Sequence, residues 1–246
     1  DFVYDDARQI LRNPLIQDSS LYGKALVSDV WAFKGDGSIA ASNYYRPAFV
    51  AWLIFNYKVF GANPFGWHLL NVLLHIAVCL LGFLLLRHWN VSLNTAFAVS
   101  LIFAVHPVHT ESVAWISGSP DLLFALTFLG SLWFADFWAI DKKLQNLVAS
   151  VALYAVSLGA KEVAILCFPI FFLIFARGAS ETPAPAKDSA IKIIPFLAVA
   201  ALYFIVRRII LGAFSLPPEE SVGWQSALLS VPAIFVFYLK QILFPV

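Results

Sequence analysis

The chain has 246 residues, of which 61% are hydrophobic and only 13% charged. A soluble domain lies nearer roughly 45–50% apolar and about 25% charged, so this composition excludes a soluble globular domain and points to an integral membrane protein. A formal net charge of +1 gives no bulk attraction for nucleic acid, and Cys79 and Cys167 lie inside apolar runs, which argues against a disulfide framework or a metal knuckle.

The N-terminal stretch FVYDDARQILRNPL (residues 2–15) sets two adjacent carboxylates, Asp5 and Asp6, before a short helical segment that Asn13-Pro14 ends. Either carboxylate suits a helix N-cap. Neighbouring side chains point apart, so one can cap while the other faces a cavity. Residues 44–61 carry Arg46 and Lys58 near their two ends with about a dozen apolar residues between. That pattern predicts an interfacial helix rather than a crossing one. The chain has no Met and begins on Asp1, so it reads as a piece of a longer protein.

A crossing helix needs roughly 20 apolar residues. Residues 65–88 qualify, as do 121–140, 193–212 and 225–244, the last interrupted by Pro232. The run 95–117 is broken by HPVHTE, and 144–159 and 163–176 form two shorter spans around Lys161-Glu162. The expected plan is an all-α, multi-pass membrane protein with two parts: residues 1–64, a long extracytoplasmic loop carrying the acidic motif and the interfacial helix, and residues 65–246, a bundle of about seven spans. The loops at 87–94, 141–143 and 177–192 hold Arg87, Lys142, Lys143, Arg177, Lys187 and Lys192 and are assigned to the cytoplasm. The 177–192 loop reads as a Pro/Ala/Ser-rich linker. Asp5, Asp6, the HPVHTE turn and Lys161-Glu162 then share the outer face.

Three groups of residues there suit chemistry. A carboxylate held near the interface is a good general base for a hydroxyl. His106, His109 and Glu111 suggest a metal, but their spacing is not H-E-x-x-H and Pro107 separates the histidines; a polar turn lining a pocket is the better reading, and a divalent metal the lesser one. Asp121, opening the next span, serves either as an N-cap or in the same pocket. Arg46, Lys161 and the pair Arg207-Arg208 supply cations on the same side, and a phosphate near the headgroups would suit them. The plainer alternatives are a neutralised Lys161-Glu162 pair and arginines that snorkel to headgroups.

These motifs, in this order, carry a resemblance: Tyr4-Asp5-Asp6, YRPAFVAWLIFNYKVFGANPFGWHLLNVLLH, HPVHTESVAW with Asp121-Leu122-Leu123, GAKEVA, and FYLKQILFP. The chain resembles the membrane O-mannosyltransferases that carry tetratricopeptide repeats, and their bacterial relatives, within the GT-C glycosyltransferase superfamily. The resemblance implies a GT-C-like helical bundle and an inverting transfer of a mannose-like sugar from a polyprenyl-phosphate carrier to a hydroxyl on a protein or lipid. It implies Asp5 as base and Asp6 as its partner, with His109, Glu111 and Asp121 lining the second outer loop and Lys161-Glu162 forming the Lys-Glu turn. Arg207 or Arg208 at the phosphate is a physical inference. No metal cofactor is then required. Gly118-Ser119-Pro120 departs from the family's Gly-Arg-Ala pattern. A non-catalytic subunit of a larger membrane assembly is the alternative, and a bacterial inner membrane is favoured over endoplasmic reticulum.

Overall fold

The computed structural model describes residues 1–35, 42–177, 185–213 and 223–244. All regular structure among them is helical, and the chain is an all-α multi-pass membrane protein. The α-helices run α1 (Pro14–Gln17), α2 (Tyr22–Leu26), α3 (Pro47–Phe60), α4 (Pro64–His88), α5 (Leu93–Val105), α6 (Thr110–Ala114), α7 (Pro120–Asp141), α8 (Leu144–Ala160), α9 (Phe168–Arg177), α10 (Ala186–Leu211) and α11 (Trp224–Leu243).

Local chemistry sets these boundaries. Asn63 caps α4 by accepting from the Phe65 N–H, with Pro64 in the first turn where its missing N–H costs nothing. Ser92 caps α5 through the Thr95 N–H. That helix stops at His106 because the residue before Pro107 is pushed out of the helical region. Gly61, at φ 56°, ends α3, a left-handed conformation that a side chain would strain. Lys142 takes the same role after α7 at φ 57°.

Among the described residues, four helical segments are long and apolar enough to cross a membrane: Pro64–His88, Ile116–Asp141, Lys187–Leu211 and Trp224–Leu243. A fifth is reached if Leu93–Val105 and Pro107–Ala114, bent by 49°, count as one. The two remaining apolar stretches form shorter helices, α8 of 17 residues and α9 of 10. The middle of the expected 177–192 linker, residues 178–184, and residues 214–222 lie outside the described residues.

Two apolar cores organise the molecule. One joins α7 to α10 through Phe128, Leu132, Tyr154, Phe171, Phe175 and Phe196, with the Phe171 and Phe196 rings 4.2 Å apart. Within it α7 and α8 exchange reciprocal bonds: each hydroxyl of Ser131 and Ser150 donates to the other's carbonyl at 2.7 Å. The other core gathers the N-terminal turns onto α3 and the start of α4, through Ile10, Ile16, Phe49, Leu53, Trp67 and Ile116. The expected interfacial segment is therefore a 14-residue helix, α3, whose Phe49, Val50, Leu53 and Ile54 are buried.

The polar residues separate to two ends. Asp121 and Asp136 both belong to α7, and 15 residues of helix set them about 22 Å apart. At the Asp136 end, its buried carboxylate accepts from Trp89 Nε1 at 3.0 Å, lies 2.9 Å from His88 Nε2, and has Arg177 at 3.6 Å. The Asp121 end carries the candidate site.

Candidate active site

The N-terminal acids occupy different environments. Asp6 is fully buried and its carboxylate is consumed: Oδ2 accepts from the Val3 N–H at 3.1 Å, while Oδ1 accepts from the Ser117 N–H at 2.8 Å and hydroxyl at 2.6 Å. It makes no capping bond to the π-helical turn Ala7–Leu11 that follows. The expected N-cap is replaced by a tether to the loop before α7, because Ser117 offers two donors to one oxygen. Asp5 is half-exposed, and among the described residues its carboxylate has no hydrogen-bond or ion-pair partner.

Asp5 lies on the wall between two cavities. One, of about 370 Å³, is lined by Asp5, Gln9, Arg46, Glu111, Trp115, Asp121 and Lys161, among others. The other, of about 1020 Å³, is wider and lined by Asp1, Tyr4, Asp5, Arg8, His68, Glu111 and Trp115. Asp5, Glu111 and Trp115 face both. The smaller chamber thus gathers the carboxylates of Asp5, Glu111 and Asp121 with the cations of Arg46 and Lys161.

Its cations are held by acidic partners. Arg46 grips Glu162 through Nε and Nη2, both at 2.9 Å, which leaves Nη1 unused by that pair. The Arg46 guanidinium also sits 4.5 Å from the centre of the Tyr44 ring. Lys161 pairs with Asp121 across α7 and α8. Burial pushes the Glu162 carboxyl up, yet the hydrogen bonds and charge of Arg46, the Glu162 backbone and the charge of Arg207 outweigh it and hold the group below its ordinary value of 4.5. Behind this pair, Arg207 Nη2 donates to the Asn43 carbonyl at 2.8 Å and the Tyr203 hydroxyl to the Tyr45 carbonyl at 2.7 Å. These two bonds tie α10 to the chain entering α3.

The remaining expected residues divide. Arg207 is buried beside the Arg46–Glu162 pair, whereas Arg208 is exposed and bonds the Gly212 carbonyl; neither lines the chamber. Consecutive helical residues are rotated by about 100°, so only one of the two can turn inward. His106 and His109 line a separate pocket of about 250 Å³ with His75; it adjoins the larger cavity through Thr110 and Ala114. His106 is fully engaged, its Nδ1 accepting from the Val108 N–H at 3.2 Å and its Nε2 facing the Ile242 carbonyl at 2.9 Å. Among the described residues no three His, Cys, Asp or Glu side chains are arranged to hold a metal ion.

Sequence reasoning does not single out Gln9, Asn71, His75 or Ser117. Asn71 is buried on α4 and its Nδ2 lies 3.3 Å from the carbonyls of both Val113 and Trp115, so it holds the α6 turn that carries Glu111. A lone amide inside an apolar span is the signal that points to it, since an unpaired amide there is costly.

Fold and site define a class: a multi-pass helical membrane protein with a chamber of carboxylates and cations at one end of its bundle. Similar proteins narrow it. The chain is 38% identical over 140 residues to "Protein O-mannosyl-transferase F38B6.6" of Caenorhabditis elegans. It is 32% identical over 166 residues to "Protein O-mannosyl-transferase Tmtc1" of Drosophila melanogaster and 33% over 183 residues to "Protein O-mannosyl-transferase TMTC4" of Homo sapiens. These matches take in 54%, 67% and 68% of this chain but 19%, 19% and 24% of the relatives, so it spans about a fifth of the length of the relatives it matches. No family model and no solved structure matches the chain.

Proposed function

We propose that this chain carries the active site of an inverting, GT-C-type glycosyltransferase that moves a mannose-like sugar from a polyprenyl-phosphate carrier to a hydroxyl of a protein. The unengaged Asp5 carboxylate, on the wall of a chamber that also meets Arg46 and Lys161, carries this reading. The names of the relatives support the sugar and the protein acceptor.

In the reaction, Asp5 accepts the proton of the acceptor hydroxyl as its oxygen bonds to the anomeric carbon. The bond from that carbon to the phosphate oxygen breaks on the opposite face, which inverts the centre and releases the lipid phosphate. Charge growing on that phosphate is met by the free Nη1 edge of Arg46 and by Lys161. Asp6 keeps Asp5 in place through Ser117, and Glu111 faces the incoming hydroxyl. Arg87, Lys142, Lys143 and Arg177 gather toward the opposite end of the bundle, which supports an extracytoplasmic site under the positive-inside rule. The relatives named above are animal proteins and lend no support to a bacterial inner membrane.

The test is purified protein with polyprenyl-phosphate mannose and a Ser/Thr peptide. Asp5→Asn should abolish release of the lipid phosphate while leaving the unfolding temperature within a degree or two of the parent; undiminished turnover by this variant would reject the assignment.

A further inference from the structure

The end of the bundle opposite the chamber brings two ammonium groups together. Lys142 stands one residue past α7, about 30 Å along that helix from Asp121. Its ammonium donates to the Ala139 carbonyl and lies 5.9 Å from the centre of the Trp138 ring. That indole is itself held edge-on against Phe175 at 5.5 Å. Lys192 arrives from α10. It sits one turn before Phe196, which is fully buried in a core with Ala135 and Ala139 of α7, so the two side chains share one face of α10. The side-chain nitrogens of Lys142 and Lys192 come within hydrogen-bonding reach of each other.

Two protonated amines repel and cannot bond each other, since neither offers a lone pair. Burial first, then the charge of Lys192, holds the Lys142 ammonium below its ordinary value of 10.5, with Asp141 pulling the other way. Asp141 does not neutralise the pair. Its Oδ1 accepts from the Lys143 N–H and its Oδ2 from Asn146 Nδ2, both at 2.9 Å, and Lys143 Nζ stands 3.3 Å from it. Among the described residues no carboxylate forms an ion pair with Lys142 or Lys192. Capping of the last α7 carbonyls accounts for Lys142 alone and gives no reason to bring a second cation against it. A bridging anion does.

We propose that Lys142 and Lys192 form a phosphate-binding site at the cytoplasmic border of the membrane, each ammonium taking an oxygen of one phosphate group. Both lysines stand near the ends of crossing helices, Ile116–Asp141 and Lys187–Leu211, beside a tryptophan of the kind that gathers at headgroup level. The phosphate there is that of an anionic phospholipid or a free phosphate ion, since basic clusters at this depth attract headgroups through the same charge. The site is remote from the chamber and stands independently of sugar transfer.

The experiment titrates the full chain, purified in neutral detergent, with dioctanoyl phosphatidic acid, dioctanoyl phosphatidylcholine and inorganic phosphate, and reads binding as the rise in unfolding temperature. Phosphatidic acid should stabilise the parent saturably, and phosphatidylcholine less, because its choline cation opposes the lysines. Lys142→Gly, which suits the left-handed φ of 57°, and Lys192→Gln should each weaken phosphatidic acid about fivefold, the effect of one charge at a headgroup. Without ligand, both variants should unfold no earlier than the parent, since each removes a repulsion. Lys143→Gln, whose ammonium faces Asp141, should leave the affinity unchanged. Should Lys192→Gln fail to fold, Lys142→Gly carries the same comparison. Stabilisation by phosphatidic acid alone assigns the site to a lipid headgroup, and equal stabilisation by inorganic phosphate assigns it to the free ion; both keep the phosphate site. Equal phosphatidic acid affinities of parent, Lys142→Gly and Lys192→Gln would overturn it, as would a parent that neither anion stabilises.

Discussion

Asp6 and Ser117, 111 residues apart, are joined twice through one carboxylate oxygen, by the Ser117 N–H at 2.8 Å and its hydroxyl at 2.6 Å. This contact fastens the N-terminal turn, which carries Asp5 and Gln9, to the loop that carries Trp115. Two segments of the chamber's lining are therefore joined through a single buried side chain.

Removing Asp6 should loosen both of these segments. Asp6→Ala strands the Val3 and Ser117 donors, and hydrogen bonds to a charged group contribute about 1.5–3 kcal/mol. We expect a loss of at least that size, read by chemical unfolding in detergent, together with faster proteolysis within residues 1–12. Ser117→Ala deletes only the hydroxyl bond and should cost about half as much. If Asp6→Ala unfolds no earlier than Asp5→Ala, Asp6 does not anchor the turn.

The Arg46–Glu162 pair gives a pH-dependent stability with a definite sign. Its folded carboxyl titrates below the ordinary value of 4.5, so the stabilisation is fully present above about pH 4.5 and is lost as pH falls through the lower folded value. The parent should lose unfolding temperature on acidification below pH 4.5 more steeply than Glu162→Gln. Arg46→Lys should not restore the lost stability, because an ammonium cannot match both carboxylate oxygens at once. Parallel acid profiles for parent and Glu162→Gln would show that the pair contributes nothing to this dependence.

That pair also marks the boundary of what a single sequence reveals. The long apolar runs show the spans directly, since only helices of that length satisfy their backbone in hydrocarbon. The divergence of Asp5 and Asp6 is legible because neighbouring side chains cannot share a direction. Which of them turns inward is not, since that depends on Ser117, and nothing in the run ISGSP distinguishes its serine from an ordinary loop residue. Arg46 meets Glu162 across 116 positions, and no local pattern encodes such a partnership. For the same reason Arg207 and Arg208 look alike in sequence, while the rotation of α10 buries one beside Glu162 and exposes the other.

Ser131 and Ser150 pair α7 with α8 inside the bundle, each hydroxyl on the other's carbonyl at 2.7 Å. Small polar residues let helices approach closely, and such bonds between membrane helices contribute about 0.6 kcal/mol on average, with a maximum near 1.7. A double-mutant cycle on Ser131→Ala and Ser150→Ala should return a coupling in that range, because deleting either hydroxyl also removes the reason for the other's geometry. Additive single effects would mean that the two bonds act independently.

Gly118 is the tightest backbone position at the site. A Cβ there would stand 2.9 Å from the Glu111 carbonyl oxygen and 3.3 Å from the Ser112 Cα. Both are main-chain atoms, so no side-chain rotation relieves the clash and the α6 turn must move. Overpacking of this kind costs typically 1–3 kcal/mol. Here the displaced segment holds Glu111 and Trp115, and the residue before it, Ser117, bonds Asp6. Gly118→Ala should therefore lower unfolding stability by that amount and reduce turnover by more than the same stability loss produces at a remote site. Ser131→Ala supplies that comparison, since it does not line the chamber and lies ten residues, about 15 Å, along α7 from Asp121. Should Gly118→Ala and Ser131→Ala lose turnover equally for equal loss of stability, the close approach at Gly118 matters to folding alone and not to the alignment of Glu111 and Trp115.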